Sequence, residues 1–306
     1  MTVPILEVKG ISKTFGKVKA LDSVDFYLQK GVVHGLLGEN GAGKSSLMNV
    51  LSGIYIPEQG TIKIQNKKIE RLNPELASSL GIGMVHQEFR LIENFTIKDN
   101  LTLSKANIFL ENFKEAYLKY SEIFSLNSSY NTLVKDLSVG EKQKVEIMKL
   151  IFKNSAIMLL DEPTAVLTPQ ETSQLKISLE TLSKEDEKTI VLITHKLKEI
   201  KDFTETIFVM KNGKMVAENL QTDEVSDKHL IELMMGEIKT MSFKKDNLKG
   251  ETKLEVQNIS LINNDEGNVL KDISFNIKSG EILGVAGVSG NGQVELSNLI
   301  CGIQQE

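Results

Sequence analysis

Gly31 to Gly53 reads GVVHGLLGENGAGKSSLMNVLSG, and the succession of residue types along it points to one local architecture. Val32 to Leu37 is an apolar run broken only by His34, as suits a strand buried on both faces. It breaks at Gly38, Gly41 and Gly43, and Lys44, Ser45 and Ser46 then open a helix with Leu47, Val50 and Leu51 on one face and Gly53 at its end. Gly38, four residues, then Gly43-Lys44-Ser45 is the phosphate-loop spacing, here between a strand and a helix. Glycines leave backbone N–H groups free to wrap a polyphosphate, and the helix N-terminus adds the positive end of its dipole. A lysine at position 44 reaches terminal phosphates, and the Ser45 hydroxyl suits a magnesium ion.

The bulk of the chain fits this reading. At 306 residues, 41% hydrophobic and 25% charged, there is enough apolar material for a sizeable core and for one large or two ordinary domains. A net charge of −5 argues against a nucleic-acid surface. Arg71 and Arg90 are the only arginines, which argues further against bidentate base reading. Cys301 stands alone, so no intramolecular disulfide is expected and a reducing compartment suits the chain. MTVPILEVKG has no signal-peptide order, and no apolar run approaches the roughly 18 residues of a membrane span, so a membrane role would come through a partner.

Short strands are expected at Leu6–Val8 and Val24–Leu28, split by a turn near Gly16 that holds Phe15. Phe15 reads equally as a core residue or as a flat surface for a nucleotide base. Thr61–Ile64 alternates like a strand, and Gly81–Val85 reads as a buried strand ending in His86, Gln87 and Glu88, where parallel sheets present ligand groups. From about Thr96 to Phe152 the pattern is helical. Ser138 and Glu141 form an S-x-x-E box before the apolar positions Val145, Met148 and Phe152. The serine is either a cap alone or part of an outward-facing anion site. Ile157–Leu160 is a buried strand closed by Asp161 and Glu162, suiting a magnesium-holding Asp and a water-activating Glu. Ile190–Ile193 ends in Thr194 and His195, which brings His195, Asp161 and Gln87 to one sheet edge. Ile207–Met210, Asn212-Gly213 and Met215-Val216 make a hairpin.

Glu237 to Glu251 is polar, lysine-rich and linker-like. Beyond it LEVQNIS from Leu254 echoes LEVKGIS from Leu6, and GEILGVAGVSGNGQ from Gly280 echoes GVVHGLLGENGAGK from Gly31, 249 residues away. The register holds from Gly38 to Gly287 and from Ile54 to Ile303, as in an internal duplication. In the second copy Gln293 replaces the lysine and Val294 the serine, which weakens charge neutralisation and magnesium coordination there. So short a second copy does not cover both faces of a sheet, and the natural protein is expected to continue beyond it.

Together these motifs resemble an ATP-binding-cassette ATPase over the whole first domain and the start of a second. Gly38–Ser46 matches the phosphate loop, Gln87 the glutamine loop, LSVGEKQ from Leu137 the signature, Ile157–Glu162 the second nucleotide motif and His195 the switch histidine. The resemblance implies an α/β fold: a phosphate-loop, RecA-like mixed sheet core with an antiparallel β subdomain and an inserted helical subdomain at about 92–152. It places the first cassette at 1–238, a linker at 239–252 and the beginning of a degenerate second cassette at 253–306. EPTAVLTPQE and the loop GVSGNGQVE look like a fused double cassette of a sugar or nucleoside importer, and GNGQ favours the nucleoside branch.

Carried onto this chain, the resemblance puts ATP on Phe15, Gly38, Asn40, Gly41, Gly43, Lys44, Ser45 and Ser46. Ser138 and Gly140 would close over the loop of a partner cassette, and Ser45, Gln87 and Asp161 would hold Mg2+. Glu162 would polarise the attacking water, with His195 and Gln87 beside it. Expected partners are transmembrane permease subunits, an extracytoplasmic solute-binding protein and a second cassette in cis or in a homodimer, with no nucleic acid; the expected place is peripheral, on the cytoplasmic face of the cell membrane. The Lys44 loop needs the signature of a second cassette, so the chain is expected to hydrolyse ATP slowly unless two first domains pair. Thr168 stands where the family usually has a dimer-crossing Asp. Two rivals are a soluble tandem-cassette ATPase of translation or DNA metabolism, disfavoured by charge and arginine content, and a non-hydrolysing regulatory module, disfavoured by Glu162.

Overall fold

The computed structural model describes residues 3–103, 112–236, 250–263, 267–287 and 291–303. The chain divides into two units, Met1–Ile238 and Lys239–Glu306.

In the first unit β1 (Leu6–Phe15) and β2 (Val18–Leu28) form a long hairpin, followed by β3 (Val33–Leu37), α1 (Lys44–Leu51), β4 (Gln59–Ile64), β5 (Lys67–Ile69), α2 (Pro74–Ser79) and β6 (Ile82–Val85). Helices α3 (Ile97–Thr102), α4 (Phe113–Ile123) and α5 (Val139–Phe152) come next. Then β7 (Ile157–Asp161), α6 (Pro169–Lys184), β8 (Thr189–Thr194), α7 (Leu197–Phe203), β9 (Thr206–Lys211), β10 (Lys214–Gln221) and α8 (Asp227–Met235) complete the unit. One sheet runs β2-β1-β4-β5; the other runs β10-β9-β3-β8-β7-β6, parallel throughout except for the β9/β10 hairpin.

The period-two alternation of buried strands divides the core. Ile157 and Leu159 of β7 and Val191 and Ile193 of β8 face α1 and the four-stranded sheet, whereas Met158, Leu160, Ile190 and Leu192 face α3 to α6. The larger sheet is thus covered on both faces, and its ligand groups emerge where the strands end. Because β3, β8, β7 and β6 are neighbours, their C-terminal ends bring the phosphate loop, His195, Asp161 and Gln87 to one edge.

The first hairpin is longer than the alternation in the sequence indicates. Register shifts lie between Val8 and Ile11 and again near Lys13, with Gly10 at φ 62° and Ser23 at φ 51°. Such bulges break the period-two pattern, so the apolar alternation stops at Val8 while the strand continues. Phe15 is accordingly the last residue of β1, paired with Val18, rather than a turn residue.

The second unit contains the antiparallel hairpin of β11 (Thr252–Asn263) and β12 (Gly267–Lys278) and the helix α9 (Gln293–Ile300). Residues 281–287, the counterpart of the first strand of the Gly31 stretch, form no strand, and Ile282 is 97% exposed. Among the described residues this stretch has no neighbouring strand to pair with. The polar segment expected as a linker at 239–252 lies outside the described residues up to 249.

Candidate nucleotide site

The loop between β3 and α1 is shaped by two close approaches. A Cβ at Gly38 would stand 2.5 Å from the Met210 carbonyl oxygen, and one at Gly43 would stand 2.5 Å from the Ala20 carbonyl oxygen. Gly43 also has φ 103°, so neither position takes a side chain without displacing backbone. The turn of the β9/β10 hairpin is fastened to the same loop: Gly213 N–H donates to Ala42 O at 2.9 Å, and Asp22 N–H donates to Gly213 O at 2.8 Å.

Lys44 is buried, and its ammonium donates to Gly38 O at 2.7 Å and Glu39 O at 2.9 Å. Burial lowers its pKa, against the opposing pull of Glu162, Asp161 and Glu39. Ser45 Oγ lies 3.4 Å from Asp161 Oδ2. Burial, then the nearby Glu162, raise the Asp161 pKa, while Ser45 and Lys44 oppose the rise. A carboxylate so penalised gains from a cation beside it.

Glu162 follows β7 with φ 48°, a conformation that costs a β-carbon-bearing residue about 1–2 kcal/mol. Its N–H donates to Ile193 O at 2.9 Å, which fixes it across the β7/β8 boundary. Its Oε1 lies 2.6 Å from His195 Nδ1, so the acid and the imidazole share one hydrogen bond.

Apart from Gly38 and His195, which do not line it, these groups open onto a cleft of about 460 Å³ lined by Asn40, Gly41, Gly43, Lys44, Ser45, Ser46, Gln87, Asp161 and Glu162, together with Val18, Lys19, Ala20, Asn212 and Gly213. Sequence reasoning missed the last five. Asn212-Gly213 carries a tight-turn signal, but nothing local tells that the turn meets the loop. Phe15 does not line this cleft; it is 42% exposed, so it is no core residue, and it meets Tyr55 edge-on at 5.0 Å with Lys13 Nζ 5.4 Å from its ring centre.

Ser138 and Gly140 also lie outside the cleft lining. The S-x-x-E box forms in full: Ser138 Oγ accepts from Glu141 N, and the Glu141 carboxylate accepts from Ser138 N. A second box, Thr168 with Glu171, opens α6, and a Cβ at Gly140 would fall 2.0 Å from Glu171 Oε1. The T-x-x-E spacing was there to be read in the sequence.

The residues fit a magnesium-bound nucleoside triphosphate. A hydroxyl, a carboxylate and an amide oxygen are hard donors, and Mg2+ is usually held by one or two carboxylates completed by phosphate oxygens and water. Among the described residues no trio of His, Cys, Asp or Glu gathers as a metal site, so a divalent ion here would depend on the phosphates of its ligand.

A mixed sheet, a glycine loop around a buried lysine and an Asp-Glu pair at the next strand end define a phosphate-loop nucleotide-binding domain with the ATP-binding-cassette fold. Residues 21–165 match the family described as ABC transporter. The structure of a nucleotide-free ATP-binding cassette from an ABC transporter superposes with TM-score 0.67 and 27% identity, covering 77% of this chain and all of that one. The ADP conformation of MJ1267, an ATP-binding cassette of an ABC transporter, gives TM-score 0.67 and 28% identity over 77% of this chain and all of its own.

Among curated proteins, the nucleoside import ATP-binding protein NupA of Lactococcus lactis is 38% identical over 98% of this chain and 60% of its own length. The galactose/methyl galactoside import ATP-binding protein MglA of Clostridium perfringens is 40% identical over 99% of this chain and 59% of its own length. The chain is thus similar to ATP-binding cassettes of ABC transporters and to ATP-binding proteins of sugar and nucleoside import, and it spans about 60% of the length of these curated relatives. Among the described residues no helix is long and apolar enough to cross a membrane.

Proposed function

We propose that the chain binds and hydrolyses ATP to energise import of a nucleoside, as the first cassette of a fused pair. The observation that carries this reading is the Glu162–His195 pair at the end of β7 and β8, beside Asp161 and the Lys44 loop. The loop N–H groups and Lys44 would hold the polyphosphate, and Ser45, Asp161 and Gln87 would hold Mg2+, which neutralises charge between phosphates. Glu162 is the proton acceptor for the attacking water, and His195 holds its carboxylate in place and contacts the terminal phosphate. Phe15, exposed at the end of β1, supplies the base-stacking face.

The pairing of cassettes rests on the 249-residue repeat between Gly31 and Gly280. In the second unit Gly292, φ 89°, opens α9 as Gly43 opens α1, and a Cβ at Gly287 would fall 2.1 Å from the Gln293 amide nitrogen. The neutral Gln293 thus lies against Gly287 as the Lys44 ammonium lies against Gly38, which supports a degenerate second loop. On this reading the cassettes occupy 1–238, with a helical subdomain at about 92–152, and 253 onward, joined by 239–252. They work at the cytoplasmic face of the membrane with permease subunits and a solute-binding protein. Relatives named for nucleosides and for galactose match equally well, and the GNGQ loop tips the solute toward nucleosides.

Uptake of labelled nucleosides and of galactose in cells with and without the gene tests the solute class. Loss of nucleoside uptake alone supports the reading; loss of galactose uptake alone overturns the nucleoside assignment.

A further inference from the structure

Helix α5 starts at the signature serine, and two turns along it carries a charged pair where the surrounding pattern is apolar. Glu146 is 4% exposed, and its neighbours Val145, Ile147 and Met148 are fully buried. Its Oε2 pairs with Lys149 Nζ at 3.3 Å. Their remaining capacity goes to one residue of another segment: Arg90 N–H donates to Glu146 Oε1 at 2.5 Å, and Lys149 Nζ donates to Arg90 O at 2.8 Å. Both backbone groups of Arg90 are therefore held by oppositely charged side chains one turn apart.

Arg90 lies three residues after Gln87, in the stretch between β6 and α3 that forms neither helix nor strand. The same stretch is gripped again at Ile92, where the buried Asn100 accepts from Ile92 N at 2.8 Å and donates to Ile92 O at 3.0 Å. A buried ion pair is seldom the most stabilising filling for a helix face, since desolvation offsets the attraction, whereas charge-assisted bonds fix geometry well.

We propose that Glu146 and Lys149 are positioning residues for Gln87: by clamping the Arg90 backbone to α5, they set the reach of Gln87 into the cleft and tie it to the helix that begins at Ser138. This rests on the reading of Gln87 as a ligand of Mg2+ or of the attacking water. The two contacts of Arg90 keep Gln87 and the start of α5 in one register, so a shift of the helix is passed to the amide within three residues.

The test is a double-mutant cycle on the full chain with Lys149→Met, Gln87→Ala and the pair, read as kcat and as the gain in ATP affinity on adding Mg2+, the latter needing no turnover. Lys149→Met is expected to lower kcat about 10-fold and to reduce the Mg2+ gain, with ATP affinity in EDTA unchanged. In the Gln87→Ala background the same substitution is expected to add less than about 2-fold, because its route is already cut. Lys149→Arg, which keeps the cation, is expected to restore both readouts, and it controls for loss of folding. Full multiplication of the two effects, or no effect of Lys149→Met while Gln87→Ala is impaired, overturns the clamp and leaves the role of Gln87 standing. No effect of Gln87→Ala overturns both.

Discussion

His34 lies at the second position of β3, the strand that delivers the phosphate loop, and it is fully buried. Its Nε2 lies 2.9 Å from Gln29 N and 3.2 Å from Gln29 O, and its Nδ1 lies 2.7 Å from Thr206 Oγ1. The neutral ring thereby links β3 to β9 and to the end of the first hairpin. Burial pushes its pKa down to about 4, partly offset by the Gln29 backbone. The folded state therefore binds fewer protons than the unfolded chain, whose imidazole titrates near 6.5. The stability this represents is fully present above the unfolded pKa and is lost as pH falls through the folded one. The gap corresponds to about 3 kcal/mol in full, of which about 2 kcal/mol is gone by pH 5. Urea unfolding at pH 8 and pH 5, for the natural chain and for His34→Gln, isolates this share from other titrating groups. The natural chain is expected to lose about 2 kcal/mol more than the variant over that interval. Equal losses in the two would refute a buried neutral imidazole at this position.

Gly43→Ala forces a side chain at φ 103° against the Ala20 carbonyl, and is expected to cost about 2 kcal/mol of stability and to abolish measurable ATP binding, read by thermal unfolding and nucleotide titration. Asp161, whose pKa is raised by burial, is expected to hold Mg2+ only when ionised. The Mg2+-dependent gain in ATP affinity should therefore be present above its folded pKa and fall away as pH drops through it, beginning above the usual carboxylate range; Asp161→Asn should show little gain at any pH.

What was legible in the sequence was local. The loop from Gly38 to Ser46, the acids ending β7 and the S-x-x-E box each lie within a few consecutive residues, where spacing alone carries the chemistry. The sheet edge followed because each buried strand announces its own end. Contacts that close over distance carried no such signal. On helix α5 only Ser138, Glu141 and the apolar positions were legible in the sequence, and the fold alone shows Glu146 and Lys149 buried against Arg90. Ala20 and Gly213 gave no hint that they would brace Gly43, and bulges hid the full length of β1. Phe15 moved from a turn to a strand end for the same reason, while the T-x-x-E box at Thr168 lay in plain view.

The most direct test of the central assignment is ATP hydrolysis by the full chain as a function of its concentration, beside Glu162→Gln. The variant keeps the volume of the side chain and a partner for His195 but cannot take a proton from water. Turnover that climbs faster than linearly with concentration in the natural chain, and falls at least about 100-fold in a variant that still binds ATP, is the predicted result. Undiminished turnover in Glu162→Gln would contradict the assignment of Glu162 as the base.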